Sequence, residues 1–145
     1  MKSIFFSLGG SLLLLQTNLS LANEIPITVN NIDVERGGYI VVFIFSKNGF
    51  PTKHDSAILT QTKPVEKEVM SFSFTLDMDE VAVKVLHDED EDGNVTKNWT
   101  GIYPKEGLGF SNDQQIGLTG PPNYEDSKQH RDDFKNGLNI SISYP

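Results

Sequence analysis

The sequence contains no cysteine and far fewer basic than acidic side chains. Each shortage excludes something. Without thiols there is no disulfide scaffold, no thiolate nucleophile, no iron–sulfur cluster and no cysteine-type zinc site. The acylated cysteine of a lipoprotein is excluded as well. Twelve Lys and Arg stand against 20 Asp and Glu, a net charge of −8. A surplus of that sign repels nucleic-acid phosphates and anionic membrane surfaces alike. Short catalytic signatures are missing too: no G-x-S-x-G elbow, no H-E-x-x-H pair, no phosphate-cradling glycine loop and no dinucleotide fingerprint. What is present is a chain of 145 residues with an apolar fraction of 37 %. That suits one domain, long enough to bury a core and too short for two.

The first 22 residues read as an address. Lys2 is their only charge, an apolar run extends from Ile4 to Leu15, and Ser20-Leu21-Ala22 places small residues at the −3 and −1 positions. This is the three-part layout of a secretory signal peptide cleaved after Ala22. The apolar run is short for a bilayer core of about 30 Å, so membrane insertion is not expected once the segment is removed. The expected location is the periplasm of a Gram-negative bacterium, or the medium. Cleavage leaves Asn23–Pro145 as a single domain with 11 basic and 20 acidic residues, a net charge of −9.

The mature chain reads as all-β. Met70, Phe72, Phe74 and Leu76 alternate with Ser71, Ser73 and Thr75, and Leu138, Ile140, Ile142 and Tyr144 alternate with Asn139, Ser141 and Ser143. A period of two marks an antiparallel strand with one buried and one wet face. Glu80–His87 is read the same way, with Val81, Val83 and Val85 inward and Lys84 outward. Tyr39–Phe45 is apolar at every position and suits a central strand. In Ile25–Val34 the apolar parity slips, which predicts a bulge near Asn30-Asn31. Ala57–Lys63 is a weaker candidate, an edge strand or a short helix. No window holds a sustained 3.6-residue period. Short strands separated by turn signals predict an antiparallel β-sandwich. Between residues 88 and 134 the strand signal fades. A loop so long tends to be functional or disordered, and Trp99, Tyr103, Phe110 and Tyr124 argue that part of it packs.

The chemistry worth testing lies at the start of that loop. Asp88, Asp90 and Asp92 occupy alternate positions and Gly93 follows. These match positions 1, 3, 5 and 6 of a calcium loop, where carboxylates converge and a glycine permits the turn. Asn94 would supply a backbone carbonyl at position 7, and Thr96 a hydroxyl or bridging water at 9. Position 12 is Trp99, so the bidentate glutamate of an EF-hand is missing and the predicted affinity is weak, about 10⁻⁴–10⁻³ M. The competing reading is a solvated hairpin turn whose charges discourage aggregation. His87 shares the parity of the inward valines and is read as a buried histidine hydrogen-bonded to the following loop. His54 and His130 are read as surface residues, and Ser111 as a turn residue. Trp99, Tyr103 and Phe110 are the candidate partner surface.

Several separate blocks in this region have a common resemblance. They are His87-Asp88-Glu89-Asp90, Asp92-Gly93, Gly101-Ile102, Gly107-Leu108-Gly109-Phe110-Ser111-Asn112, Gly120-Pro121-Pro122 and Glu125-Asp126. In this order they resemble the bacterial family known as domain of unknown function number 2141, with similarity extending from Ile25 to Tyr144. Departures from its pattern are Tyr103 between Gly101-Ile102 and Pro104, Thr96 or Lys97 where an acid is common, and Asp77-Met78-Asp79-Glu80 in place of a Pro-Gly-Tyr turn. The resemblance implies an exported protein with a transthyretin-like or immunoglobulin-like sandwich, and a long loop folded back over it. It brings no activity. The functional expectation is a non-catalytic module that binds a protein or carbohydrate partner, with Ca²⁺ stabilising the acidic loop. The alternatives are a structural envelope protein without a small ligand, and a hydrolase using carboxylates of the same loop.

Overall fold

Alternation of apolar and hydroxyl side chains makes Met70–Thr75 a strand with one greasy face, and it pairs with the first strand of the domain. A computed structural model of the chain describes residues 24–145, so the signal segment expected at 1–22 lies outside the described residues. Among the described residues there are eight strands: β1 (Glu24–Asn30), β2 (Tyr39–Phe45), β3 (Leu59–Pro64), β4 (Met70–Thr75), β5 (Glu80–Asp88), β6 (Leu108–Phe110), β7 (Gln129–His130) and β8 (Leu138–Ser141). Two helices of one turn each, α1 (Tyr124–Ser127) and α2 (Arg131–Phe134), complete the regular structure among the described residues, together with short 3₁₀ turns.

The strands form two sheets, and the fold is an all-β sandwich. The smaller sheet has the order β4-β1-β8 and the larger β3-β2-β5-β6, with β7 added at the start of β5. In the smaller sheet β1 runs antiparallel to β4, with Ile27 opposite Phe72, but parallel to β8, with Val29 beside Ile140. That parallel pair departs from the purely antiparallel expectation. Side-chain alternation is the same in either direction, so the pattern of residues does not distinguish them. In the larger sheet every pairing is antiparallel, with Phe43 opposite Lys84 and Lys84 in turn opposite Phe110.

Inward residues of the two sheets meet in one core that includes Ile25, Ile27, Val29, Ile40, Val42, Ile44, Phe72, Phe74, Val81, Val83, Val85, Ile140 and Ile142. Burying each such side chain contributes roughly 1.5–3 kcal/mol. Phe134 of α2 is buried in the same core. Gly109 lies where β6 passes the smaller sheet, since a Cβ there would stand 2.8 Å from both an Ile140 methyl and the Ser141 carbonyl oxygen. Beyond that crossing, Leu108 and Ser143 exchange two backbone hydrogen bonds of 3.0 and 2.9 Å and close the corner.

Two strand expectations need correction. The parity slip after Asn30 is not a bulge: β1 ends there, Asn31 takes φ +60°, and its side-chain amide donates to the Ile142 carbonyl at 2.7 Å. Ile32 then re-enters the core after a turn rather than along a strand. On β5 the outward face is not wet. Val41, Phe43, Phe45, Leu86, Leu108 and Phe110 form a second apolar cluster on the outer side of the larger sheet, joined by Phe50, Ala57, Val95 and Ile116 from the covering segments. Ala57–Lys63 resolves as an edge strand beginning at Leu59.

The long segment after β5 is held down by named side chains. The Ser111 hydroxyl accepts from the Val83 amide at 2.9 Å and donates to the Ser127 carbonyl at 2.6 Å, and the Asn112 side chain donates to the Asp126 carbonyl at 2.7 Å. Ser111 is therefore a buried tie between β5 and α1, a larger role than that of a turn residue. The loop does fold back over the sandwich.

Candidate functional site

Strand β5 delivers the first acid of the candidate site. Asp88 is its last residue and is buried, because Gly38 from the turn before β2 approaches its backbone. A Cβ on Gly38 would fall 2.2 Å from the Asp88 carbonyl oxygen, and its φ of +69° already favours glycine. Past Asp88 the chain cannot continue as a strand, since Glu91 takes φ +61° and Gly93 φ +75°. The loop instead wraps around its own carboxylates. Asp88 accepts from the Asp92 amide at 3.2 Å through Oδ1 and from the Gly93 amide at 2.8 Å through Oδ2. Asp90 accepts from the Thr96 hydroxyl at 2.5 Å and from the Asp92 amide at 3.4 Å.

A third carboxylate arrives from further along the chain. Lys97 bridges Pro104, with Asn98 N–H bonded to the Tyr103 carbonyl at 2.8 Å and Lys105 N–H to the Thr96 carbonyl at 2.7 Å. This small hairpin returns the chain to the acidic loop and sets Glu106 beside it. Glu106 is buried, and its two oxygens accept from the Glu89 and Thr96 amides at 3.0 and 2.9 Å. One ligand oxygen each from Asp88, Asp90 and Glu106 lies within 4.8 Å of the others.

The acids expected at this site are thus divided. Asp88 and Asp90 converge as the spacing predicts. Asp92 does not join them in that group, and its Oδ1 accepts from the Asn94 amide at 2.8 Å. Asn94 returns a side-chain hydrogen bond to the Asp92 carbonyl, and Thr96 contributes its hydroxyl to Asp90. Glu89 turns away and pairs with Arg36 at 2.8 Å. Glu106 was missed because it stands 18 positions after Asp88, beyond any local motif. Its one trace in the sequence is an acid set directly before the glycine-rich 107–112 block.

The cluster is electrostatically tense. Burial pushes Asp88 above the usual carboxylate range, against the opposing pull of the Gly93 and Asp92 amides, and burial likewise raises Glu106. Asp90, fully exposed, is held down to about 2, chiefly by the Thr96 hydroxyl. Each carboxylate oxygen has two lone pairs, so the amide bonds leave acceptor capacity unused. Hard divalent cations are the ligands that such an oxygen set suits.

Other expected positions resolve as follows. Trp99 is 96 % exposed and Tyr103 is also exposed, both in the Lys97–Pro104 hairpin. Phe110, expected on the same surface, is 4 % exposed, because β6 hydrogen-bonds to β5 and turns the ring into the outer apolar cluster. His87 is fully buried, but its partners are the Gly37 carbonyl at 2.6 Å and the Tyr144 hydroxyl at 2.7 Å rather than the following loop. His130 is exposed beside Glu80. His54 is half-buried rather than free at the surface. It stacks on Phe43 with ring centroids 4.1 Å apart, and its Nε2 stands 2.8 Å from the ammonium of Lys84. Lys84 itself, expected in solvent, is 3 % exposed.

Among known proteins, residues 27–136 match the model of a family described as an uncharacterized protein conserved in bacteria (DUF2141), and the chain belongs to that family. No curated protein and no solved structure matches it. Among the described residues no helix is long and apolar enough to cross a membrane.

Proposed function

We propose that this DUF2141 member is an exported, non-catalytic β-sandwich that works as a binding module, with Ca²⁺ holding its acidic loop in shape. The observation that carries the reading is the convergence of Asp88, Asp90 and Glu106 within 4.8 Å. Glu106 supplies the carboxylate that the local spacing lacked at Trp99. Two of the three acids are buried, so their mutual repulsion is poorly screened, and a divalent cation is the simplest relief. Ca²⁺ accepts irregular oxygen geometry and completes its shell with water, whereas Mg²⁺ demands near-octahedral order. Export is supported by the layout of residues 1–22. Trp99 and Tyr103, projecting from the hairpin that returns Glu106, form the surface for a protein or carbohydrate partner.

Thermal unfolding in EDTA and in millimolar Ca²⁺ tests the ion directly. With a Kd of about 10⁻⁴ M, 1 mM Ca²⁺ should add about 1.4 kcal/mol, which raises Tm by about 5 °C for a domain of this size. Mg²⁺ should do less, and Asp90→Ala should remove most of the shift. A Tm indifferent to Ca²⁺ would sink the reading.

A further inference from the structure

A cavity of about 370 Å³ lies between the outer face of the larger sheet and the segments that cover it. Its floor is formed by Lys84 of β5 and by Leu108 and Phe110 of β6, and its mouth by Ile102, Tyr103 and Leu118. The size is that of a small-ligand pocket, and the lining is mainly apolar with few polar groups. The mouth is apolar too: Ile102 is 70 % and Leu118 98 % exposed, an arrangement that leaves large aliphatic side chains in water.

Among the described residues the cation in the floor has no anionic partner. The Lys84 ammonium donates to the Pro51 carbonyl at 2.9 Å and to His54 Nε2 at 2.8 Å. Both acceptors are neutral. His54 Nδ1 lies 3.1 Å from the Gly93 carbonyl and donates to it, which leaves Nε2 as the lone-pair side that meets Lys84. Stacking on Phe43 fixes the ring in that pose. A third ammonium proton remains without a named acceptor, and among the described residues no Asp or Glu forms an ion pair with Lys84. Yet eight of the 20 acids fall within residues 77–92 of the same sequence. Buried charges are normally paired, because desolvating an isolated ion is costly. Burial pushes this ammonium down to about 8, which still leaves most of it protonated at pH 7.

From the unneutralised cation in an apolar cavity we infer that this cavity binds a small amphipathic monocarboxylate, its carboxylate on Lys84 and its hydrocarbon body against Leu108, Phe110 and the mouth. One charge on the ligand matches the one cation in the floor. A dianionic phosphate would bring a second charge for which only Lys97, exposed at the rim, is near. The inference deepens the binding-module reading and rests on it for the role of the cavity, but not on the ion.

Calorimetric titration of the purified protein with octanoate, and in parallel with octan-1-ol of equal chain length, tests it. Octanoate should bind with one-to-one stoichiometry and octanol more weakly. Lys84→Met, which keeps the length of the side chain, should weaken octanoate about tenfold or more, the size of a lost charge-assisted hydrogen bond, and leave octanol unchanged. Leu118→Ser, at a position whose exposure protects the fold, should weaken both ligands severalfold. Equal binding of acid and alcohol to the unaltered protein, or no saturable heat from octanoate, overturns the inference. Titrations in EDTA separate the two readings. Octanoate binding that persists where Ca²⁺ leaves Tm unchanged supports the cavity, and a Ca²⁺ shift without octanoate binding overturns it while the ion reading stands.

Discussion

Replacing Lys84 by methionine should change how the stability of this protein depends on pH. Lys84 is 3 % exposed, and burial moves its ammonium from the usual 10.5 to about 8. The folded state therefore releases this proton at a lower pH than the unfolded chain does. Between pH 8 and 10.5 the unfolded state holds more protons, so stability rises with pH through that window. Below pH 8 both states are protonated, and burial of the charge withholds about 3 kcal/mol. About 2.5 kcal/mol of that should return between pH 7 and pH 10.

Methionine removes the titrating group and also strips the Pro51 carbonyl and His54 Nε2 of their donor, a cost of about 1–3 kcal/mol that does not titrate in this range. The absolute stabilities at pH 7 should consequently be similar, and the diagnostic quantity is the slope. Urea unfolding of both proteins at pH 7, 8, 9 and 10 gives it. The stability of the unaltered protein relative to the variant should climb by about 2.5 kcal/mol across the series. Subtraction cancels groups common to both, including Tyr124, which burial raises to about 12, and Tyr144, which burial also raises. His54 is lowered by burial and by the charge of Lys84. Parallel pH profiles for the two proteins would refute a desolvated ammonium at this position.

Two further predictions concern the acidic cluster. Burial raises Asp88 and Glu106 in the folded state, so protons compete for them as pH falls, and the Tm increment produced by Ca²⁺ should shrink as pH is lowered toward the carboxylate range. An increment independent of pH would place the ion elsewhere. Gly38→Ala combines a φ of +69° with a Cβ 2.2 Å from the Asp88 carbonyl oxygen, and should destabilise by about 2 kcal/mol or more in urea unfolding. A neutral outcome would mean that the turn before β2 shifts freely and does not position Asp88.

What was legible in the sequence follows from what generates a local pattern. β4 alternates because its outer side chains meet water, and β2 is apolar throughout because both of its faces are covered. β5 carries the same inward valines, but its outer face is covered by residues from 50–57 and 95–116, segments with no periodicity of their own. Lys84 therefore read as solvated, although a lone lysine in an otherwise apolar strand was the visible sign. Asp92 stands apart from Asp88 and Asp90 for a different reason. Alternation orders side chains only while the backbone stays extended, and Glu91 with φ +61° ends that order. Glu106 and the parallel β1–β8 pairing depend on contacts between distant segments, and no local spacing encodes them.

Both candidate sites hang on the outer parity of one strand. Lys84 and Asp88 lie four residues apart on the same side of β5, about 13 Å along it. Gly93 N–H donates to Asp88 Oδ2, Gly93 carbonyl accepts from His54 Nδ1, and His54 Nε2 meets the Lys84 ammonium. A continuous hydrogen-bonded path thus runs from the acidic cluster to the floor of the cavity, through a ring that Phe43 holds by stacking. Two consequences follow from its geometry. The wrap of the loop around Asp88 places the Gly93 carbonyl, and that carbonyl selects the histidine tautomer whose lone pair faces Lys84. The path also keeps the sign of charge separated. Its acidic end lies at the terminus of β5, where hydrogen bonds from backbone amides and the Thr96 hydroxyl share the negative charge, while the lone cation sits mid-strand among Leu86, Leu108 and Phe110. The positive φ at Glu91 and Gly93 turns the chain off the strand and back, which is what brings the Gly93 carbonyl to His54.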